Sequence, residues 1–241
     1  METAELVRAL AYLGAGIGMG FGAIGAGVGE GYAAHQACGG TSRQPGASSS
    51  IQRTMLIGQA MAESASIFAL VTAVVLIFMI DVSRAALNQG FAYVGAGIAV
   101  GFGAIGGGIG CGFPAGRACE GVARRPEGQN AITTIMLIAQ GVSQTPSVFS
   151  FVVALLLVFR AYEGADPITI AALVGAGISV GMGAIGCGIG SGYVGGDASA
   201  GVGRWPASRG AVLRTMLVGQ AVSQSTSIYA LLIAILMIFV R

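Results

Sequence analysis

Hydrophobic and polar positions divide this chain into six long apolar stretches separated by short polar segments. The six are one pair written three times. The first member of the pair, GAGIGMGFGAIGAGVGEGY, runs from Gly14 to Tyr32. It recurs as GAGIAVGFGAIGGGIGCGF from Gly95 to Phe113 and as GAGISVGMGAIGCGIGSGY from Gly175 to Tyr193. The second member contains RTMLIGQAMAESASIF, TIMLIAQGVSQTPSVF and RTMLVGQAVSQSTSIY, whose glutamines are Gln59, Gln140 and Gln220. Both motifs return at offsets of 81 and 80 residues, so the chain is a triplication.

Each stretch can cross a bilayer, which takes about 20 residues of helix. Within each pair lies a polar turn of the form Arg-x-Pro: Arg43-Gln44-Pro45, Arg124-Arg125-Pro126 and Arg204-Trp205-Pro206. Proline has no backbone donor and suits a turn better than a helix interior. The pattern predicts an all-α membrane protein of three tandem transmembrane hairpins and six spans. Hairpin 1 covers residues 1–84, hairpin 2 85–165 and hairpin 3 166–241, with linkers near residues 81–88 and 162–167. All three enter from one side, unlike the inverted repeats of many transporters.

Composition agrees with a bilayer as solvent. The 241 residues are 54% hydrophobic and only 9% charged, with mean hydropathy +0.80, whereas soluble domains carry about 25% charged residues. A net charge of +2 gives no basis for nucleic-acid binding. The first apolar stretch reads as a retained membrane helix, since no basic flank and cleavage site accompany it. All twelve positive charges are arginines. Eight of them, Arg43, Arg53, Arg117, Arg124, Arg125, Arg204, Arg209 and Arg214, lie in the turn regions, with Arg8, Arg84, Arg160 and Arg241 at the other end. The positive-inside rule then places the turns in the cytoplasm and both termini opposite. Cys38, Cys111, Cys119 and Cys187 form no CxxC pair and are expected to be small packing residues.

The GxGxxG-like strings run through an apolar span without the strand and helix N-terminus that a phosphate loop needs. Small residues at such spacing let membrane helices approach closely. Here they cover more than one helix face, as a helix flanked on both sides by copies of itself requires. Head-to-tail contacts close into rings when the rotation permits, so a closed homo-oligomeric ring with the glycine helices innermost is expected.

Two ionisable residues lie deep in the spans, Glu30 and Glu63, and such residues are functional candidates by default. Counted from Pro45 they are 15 and 18 residues away on antiparallel helices, within roughly 5 Å of one depth. No arginine shares that depth. Two adjacent carboxylates in low dielectric need a cation or a proton between them. The other repeats replace Glu30 by Cys111 and Ser191, and Glu63 by Gln144 and Gln224. Glutamine keeps the shape but cannot titrate, so one hairpin in three is charge-competent.

With its glycine-rich first helix, Arg43-Gln44-Pro45 turn and GQAMAES around Glu63, the sequence resembles the c-type proteolipid of rotary ATP synthases, F-type-like, over nearly its whole length. Fused hairpins are typical of the vacuolar and archaeal types, which are the alternative subtype. The resemblance implies a rotor ring turning against a stator a subunit and carried on central stalk subunits, with Glu63 carrying Na+ or H+ across the inner membrane of a prokaryote. Sodium-binding members are the more similar. In them a site forms between neighbours, which implies Glu30 and Glu63 of one chain completed by hairpin 3 of the next. The contributors there are the Val222 carbonyl, Ser225 and Thr226, with Tyr229 orienting Glu63. The alternative uses Val142, Thr145 and Phe149 of hairpin 2, but Phe149 cannot donate a hydrogen bond. Hard oxygen ligands suit Na+, and no resident cofactor is implied.

One carboxylate per three hairpins lowers the ion count per turn. Each charge crossing 100 mV is worth about 2.3 kcal/mol, so such a rotor suits ATP-driven pumping against a steep gradient. A reading from another class is a glutamate-lined structural or channel oligomer, which predicts conductance without nucleotide-hydrolysing partners. No Ser/His/Asp or Cys/His set points to catalysis. His35 reads as interfacial, and Pro146 as a local bend without a function.

Overall fold

The computed structural model describes residues 3–81 and 86–239. Arg84 and Arg241, and the boundary between hairpins 1 and 2, lie outside the described residues. Six helices run α1 Thr3–Arg43, α2 Ser48–Phe78, α3 Leu87–Arg124, α4 Gln129–Phe159, α5 Pro167–Arg204 and α6 Arg209–Phe239. All six are long and apolar enough to cross a membrane.

The three turns are built alike. Residues before a proline are pushed out of the helical region, and Gln44, Arg125 and Trp205 have φ of −138°, −143° and −132°. Their amides still reach the Gly40, Gly121 and Gly201 carbonyls at 2.9, 3.0 and 2.8 Å. A single 3-10 turn follows in each hairpin, at Pro45–Ala47, Pro126–Gly128 and Pro206–Ser208. At the opposite end the α4–α5 linker is tied to the start of α3. Asn88 Nδ2 donates to the Glu163 carbonyl at 2.6 Å, and Gln89 Oε1 accepts from the Tyr162 amide at 2.9 Å. Asp166 then caps α5 by accepting from the Thr169 amide.

The glycine helices α1, α3 and α5 pack against each other in a row, with α3 in the middle. Outside them α2 lies against α1 and α3, α4 against α3 and α5, and α6 against α5. The first two outer helices therefore lean from their own inner helix toward the next. Backbone contact is what the glycines permit. A Cβ at Gly108 would collide with Gly25, and one at Gly188 would fall 2.5 Å from the Gly106 carbonyl carbon. Equivalent positions also meet along the row, Tyr32 edge-on to Phe113 and Phe113 stacked on Tyr193, with ring centroids 5.2 and 4.3 Å apart.

Two apolar cores result. One holds Val7, Leu76, Leu157, Leu173 and Ile238, and the other Ile51, Ile132, Met136 and Met216. Between them lies a buried polar layer of Gln140, Ser143, Gln144, Ser147, Ser191 and Gln220. Cys111, Cys119 and Cys187 are buried, as packing residues should be, but Cys38 is exposed near the turn end of α1. The spacing that predicted a packing role there carries no information on which helix face is covered.

Candidate functional site

The polar layer is held by one glutamine per hairpin. Gln140 Nε2 donates to the Cys111 carbonyl of its own inner helix and to the Gly58 carbonyl of hairpin 1, both at 2.9 Å. Gln220 Nε2 donates to the Ser191 and Ala139 carbonyls, both at 3.0 Å. Each side chain thus ties its hairpin internally and to the hairpin before it. Gln59 Nε2 makes the internal bond, to the Glu30 carbonyl at 3.1 Å.

That bond sets Glu30 of α1 level with α2, one turn from Glu63. The two glutamates are close enough to act on each other electrostatically. Glu63 is exposed on the outer surface and Glu30 half-buried. Neither carboxylate has a hydrogen bond or an ion pair among the described residues. The ion pairs of Arg117, Arg124, Arg125 and Arg204 with Glu120, Glu127 and Asp197 gather instead at the turn end.

The same two positions can be followed through the other hairpins. In hairpin 2 they meet directly, with Cys111 Sγ donating to Gln144 Oε1 at 3.0 Å. In hairpin 3 Ser191 turns to Ser143 Oγ at 3.2 Å, while Gln224 Nε2 donates to the Val142 carbonyl of hairpin 2. In hairpin 3, though not in hairpin 2, the position corresponding to Glu63 looks back toward a carbonyl of the preceding hairpin's outer helix.

Pro146 accounts for that acceptor. It sits inside α4 and has no N–H to give the carbonyl four residues earlier, which is that of Val142. Hairpin 1 has Ala65 in the same place, so the Met61 carbonyl keeps a helix donor and also accepts from Ser64 Oγ at 2.7 Å. Correspondingly, buried Gln144 Nε2 has no hydrogen-bond partner among the described residues. Sequence reasoning gave Pro146 no role. The available signal was its position four residues after Val142, whose carbonyl the family resemblance names as the alternative contributor.

Val222, Ser225, Thr226 and Tyr229 lie on the far side of hairpin 3, with α4 between α2 and α6. One chain does not bring them to Glu63. Val222 and Tyr229 are 69% and 64% exposed, and Ser225 Oγ donates to the Val222 carbonyl at 2.8 Å. Val142, the alternative contributor, already accepts from Gln224, and Thr145 Oγ1 reaches back to Gly141 in its own helix at 3.4 Å.

The family model for the ATP synthase c subunit matches residues 13–76, 94–157 and 174–237, once per hairpin and most of the chain in total. A single hairpin is similar to the ATP synthase c subunit of Natranaerobius thermophilus, 44% identical over 77 residues, which are 32% of this chain and 88% of that protein. Similarity to the c subunit of Alkaliphilus oremlandii is 45% over 76 residues, 32% of this chain and 85% of the relative. For the c subunit of Syntrophus aciditrophicus it is 56% over 68 residues, 28% and 58% of the two chains.

Proposed function

The chain belongs to the c-subunit family of ATP synthases, and on that premise we propose that it is the ion-carrying unit of a membrane rotor ring. A c subunit is a membrane rotor component and not itself catalytic. In this reading Glu63 carries Na+ past a stator a subunit, with Glu30 beside it. The site is completed by hairpin 3 of the adjacent chain through the Val222 carbonyl, Ser225 and Thr226, with Tyr229 as the hydrogen-bond donor to Glu63. Both hairpin ends follow the arginine rule, with the turns on the cytoplasmic side of a prokaryotic inner membrane and the central stalk docked on them.

One observation carries the proposal. Gln224 reaches the preceding hairpin's Val142 carbonyl; one repeat further on, the equivalent joint turns Glu63 toward a hairpin that precedes hairpin 1, where Val222 has Thr226 in place of proline and offers the second lone pair of a helix-bonded carbonyl. In a ring that hairpin is hairpin 3 of a neighbour. Two carboxylates and neutral oxygens suit a small hard cation, and a bound Na+ leaves one glutamate to hold a proton. Gln144 and Gln224 keep the other joints uncharged, so each chain carries one ion and the ring works at a low ion-to-ATP ratio.

Carbodiimide labelling of Glu63 in the assembled complex tests this. Na+ protects Glu63 in the parent protein and in Thr145→Ala, and protects it poorly in Ser225→Ala. Protection lost in Thr145→Ala alone would move the site to hairpin 2, and no protection in the parent would make the cargo a proton. ATP-coupled ion transport that survives Glu63→Gln would remove the rotor reading itself.

A further inference from the structure

Thr226 points differently from four other threonines of these helices. Thr54, Thr72, Thr134 and Thr145 each donate to the carbonyl four residues earlier, at 3.0, 2.9, 2.7 and 3.4 Å, the local bond open to a threonine inside a helix. From Thr226 that bond would fall on the Val222 carbonyl, which Ser225 Oγ already reaches at 2.8 Å. The Thr226 hydroxyl turns instead to the inner helix. There Thr226 Oγ1 and Cys187 Sγ stand 3.0 Å apart, and either can donate. Ser225 and Ser227 beside it both give their protons to carbonyls of their own helix, those of Val222 and Gln224.

Thiol and hydroxyl occur together in one hairpin only. The positions of Cys187 and Thr226 hold Ala26 and Ala65 in hairpin 1, and Gly107 and Pro146 in hairpin 2. Neither of those pairs can form a hydrogen bond between side chains. Packing at this level is met by alanine and by glycine, so it does not call for a sulfur. Cys187 is 3% exposed and Thr226 is exposed. The pair therefore runs from the packed interior of hairpin 3 to the face assigned above to the adjacent chain's Glu63.

We propose that Cys187 is a positioning residue of the ion site: its sulfur accepts the Thr226 proton and so turns a hydroxyl lone pair toward Na+. The inference rests on the ion-carrying reading and adds to it a residue outside the ligand set. A hydroxyl that meets a cation, or a water held by one, offers a lone pair there, and its single proton needs an acceptor on another side. With the Val222 carbonyl engaged by Ser225, Cys187 Sγ is that acceptor. A thiol is too soft to suit Na+ itself. Cys187 acts through Thr226.

The assembled complex provides the test, read as the Na+ concentration that half-protects Glu63 from carbodiimide. Cys187→Ala is expected to raise it about threefold, the effect of one side-chain bond between membrane helices. Cys187→Ser differs from that variant by one oxygen, an acceptor, and is expected to stay at the parent value. Thr226→Ala raises the concentration at least as far, and Cys187→Ala adds nothing to it, because both act through one bond. Alanine stands at both positions in hairpin 1, so the replacements fit the hairpin, and the labelling rate without Na+ checks that each complex is intact. Half-protection unchanged in Cys187→Ala, or raised equally in the alanine and serine variants, would overturn the role of Cys187 and leave the ion-carrying reading standing. Absence of Na+ protection in the parent would remove that reading and this inference together.

Discussion

Replacing Pro146 by alanine gives the most direct test of how the joint between hairpins 2 and 3 is locked. Alanine restores an N–H at position 146 and with it a helix donor for the Val142 carbonyl, which now accepts from Gln224. Proline in a helix interior costs about 3 kcal/mol relative to alanine, so α4 itself gains. Against that gain stands the interhelical bond. Side-chain bonds between membrane helices average about 0.6 kcal/mol and reach about 1–2, and a carbonyl has two lone pairs, so competition is partial. A loss of about 1 kcal/mol at the α4–α6 contact follows as a working figure. At about 1.4 kcal/mol per tenfold change in an equilibrium constant, local opening of α6 around Gln224 rises about fivefold. Hydrogen exchange read by mass spectrometry reports such opening. Pro146→Ala is expected to speed exchange in this segment while the melting temperature stays level or rises. Gln224→Leu is expected to give the same local increase, and the double variant no more than either, because both act on one bond. Unchanged exchange in Pro146→Ala, or additive effects in the pair, would refute the assignment of the Val142 carbonyl to Gln224.

At the turn end, Glu120 is only 8% exposed and accepts from Arg117 at 2.6 Å and Arg124 at 2.5 Å. Glu120→Gln strands Arg124 and leaves Arg117 with Asp197 alone, and the arginines' own exposure of 28% and 48% holds the cost to about 1–2 kcal/mol, below that of a fully buried pair. Thermal denaturation in detergent should show the loss, and unchanged stability would deny the cluster a structural role. Maleimide should label Cys38 alone in the folded protein, with Cys111, Cys119 and Cys187 reacting only after denaturation, because those three are buried. Rapid labelling of Cys111 in the folded chain would contradict its contact with Gln144.

Much of this protein was legible along the chain because the relevant physics is local. Apolar runs long enough to cross a bilayer, Arg-x-Pro turns and a repeat at 81 and 80 residues define six spans and three hairpins, since a proline within a polar segment pushes the residue before it out of the helical region. The similar depth of Glu30 and Glu63 followed from counting residues in both directions from Pro45 along two antiparallel helices. The substitution of both in the other hairpins needed only the repeat alignment.

Tertiary structure decided direction. Gly27 and Gly108 stand in nearly the same local sequence, yet one is open and the other is pressed on a backbone, because only helix packing says which neighbour lies on which side. The backward reach of Gln140, Gln220 and Gln224 is of the same kind, as is the use of Pro146 to free a carbonyl for a side chain 78 positions further on. A bond between hairpins depends on how α4 and α6 are rotated and set against each other. Those rotations are selected by contact between helices that carry glycine on several faces, and a one-dimensional pattern leaves them undetermined.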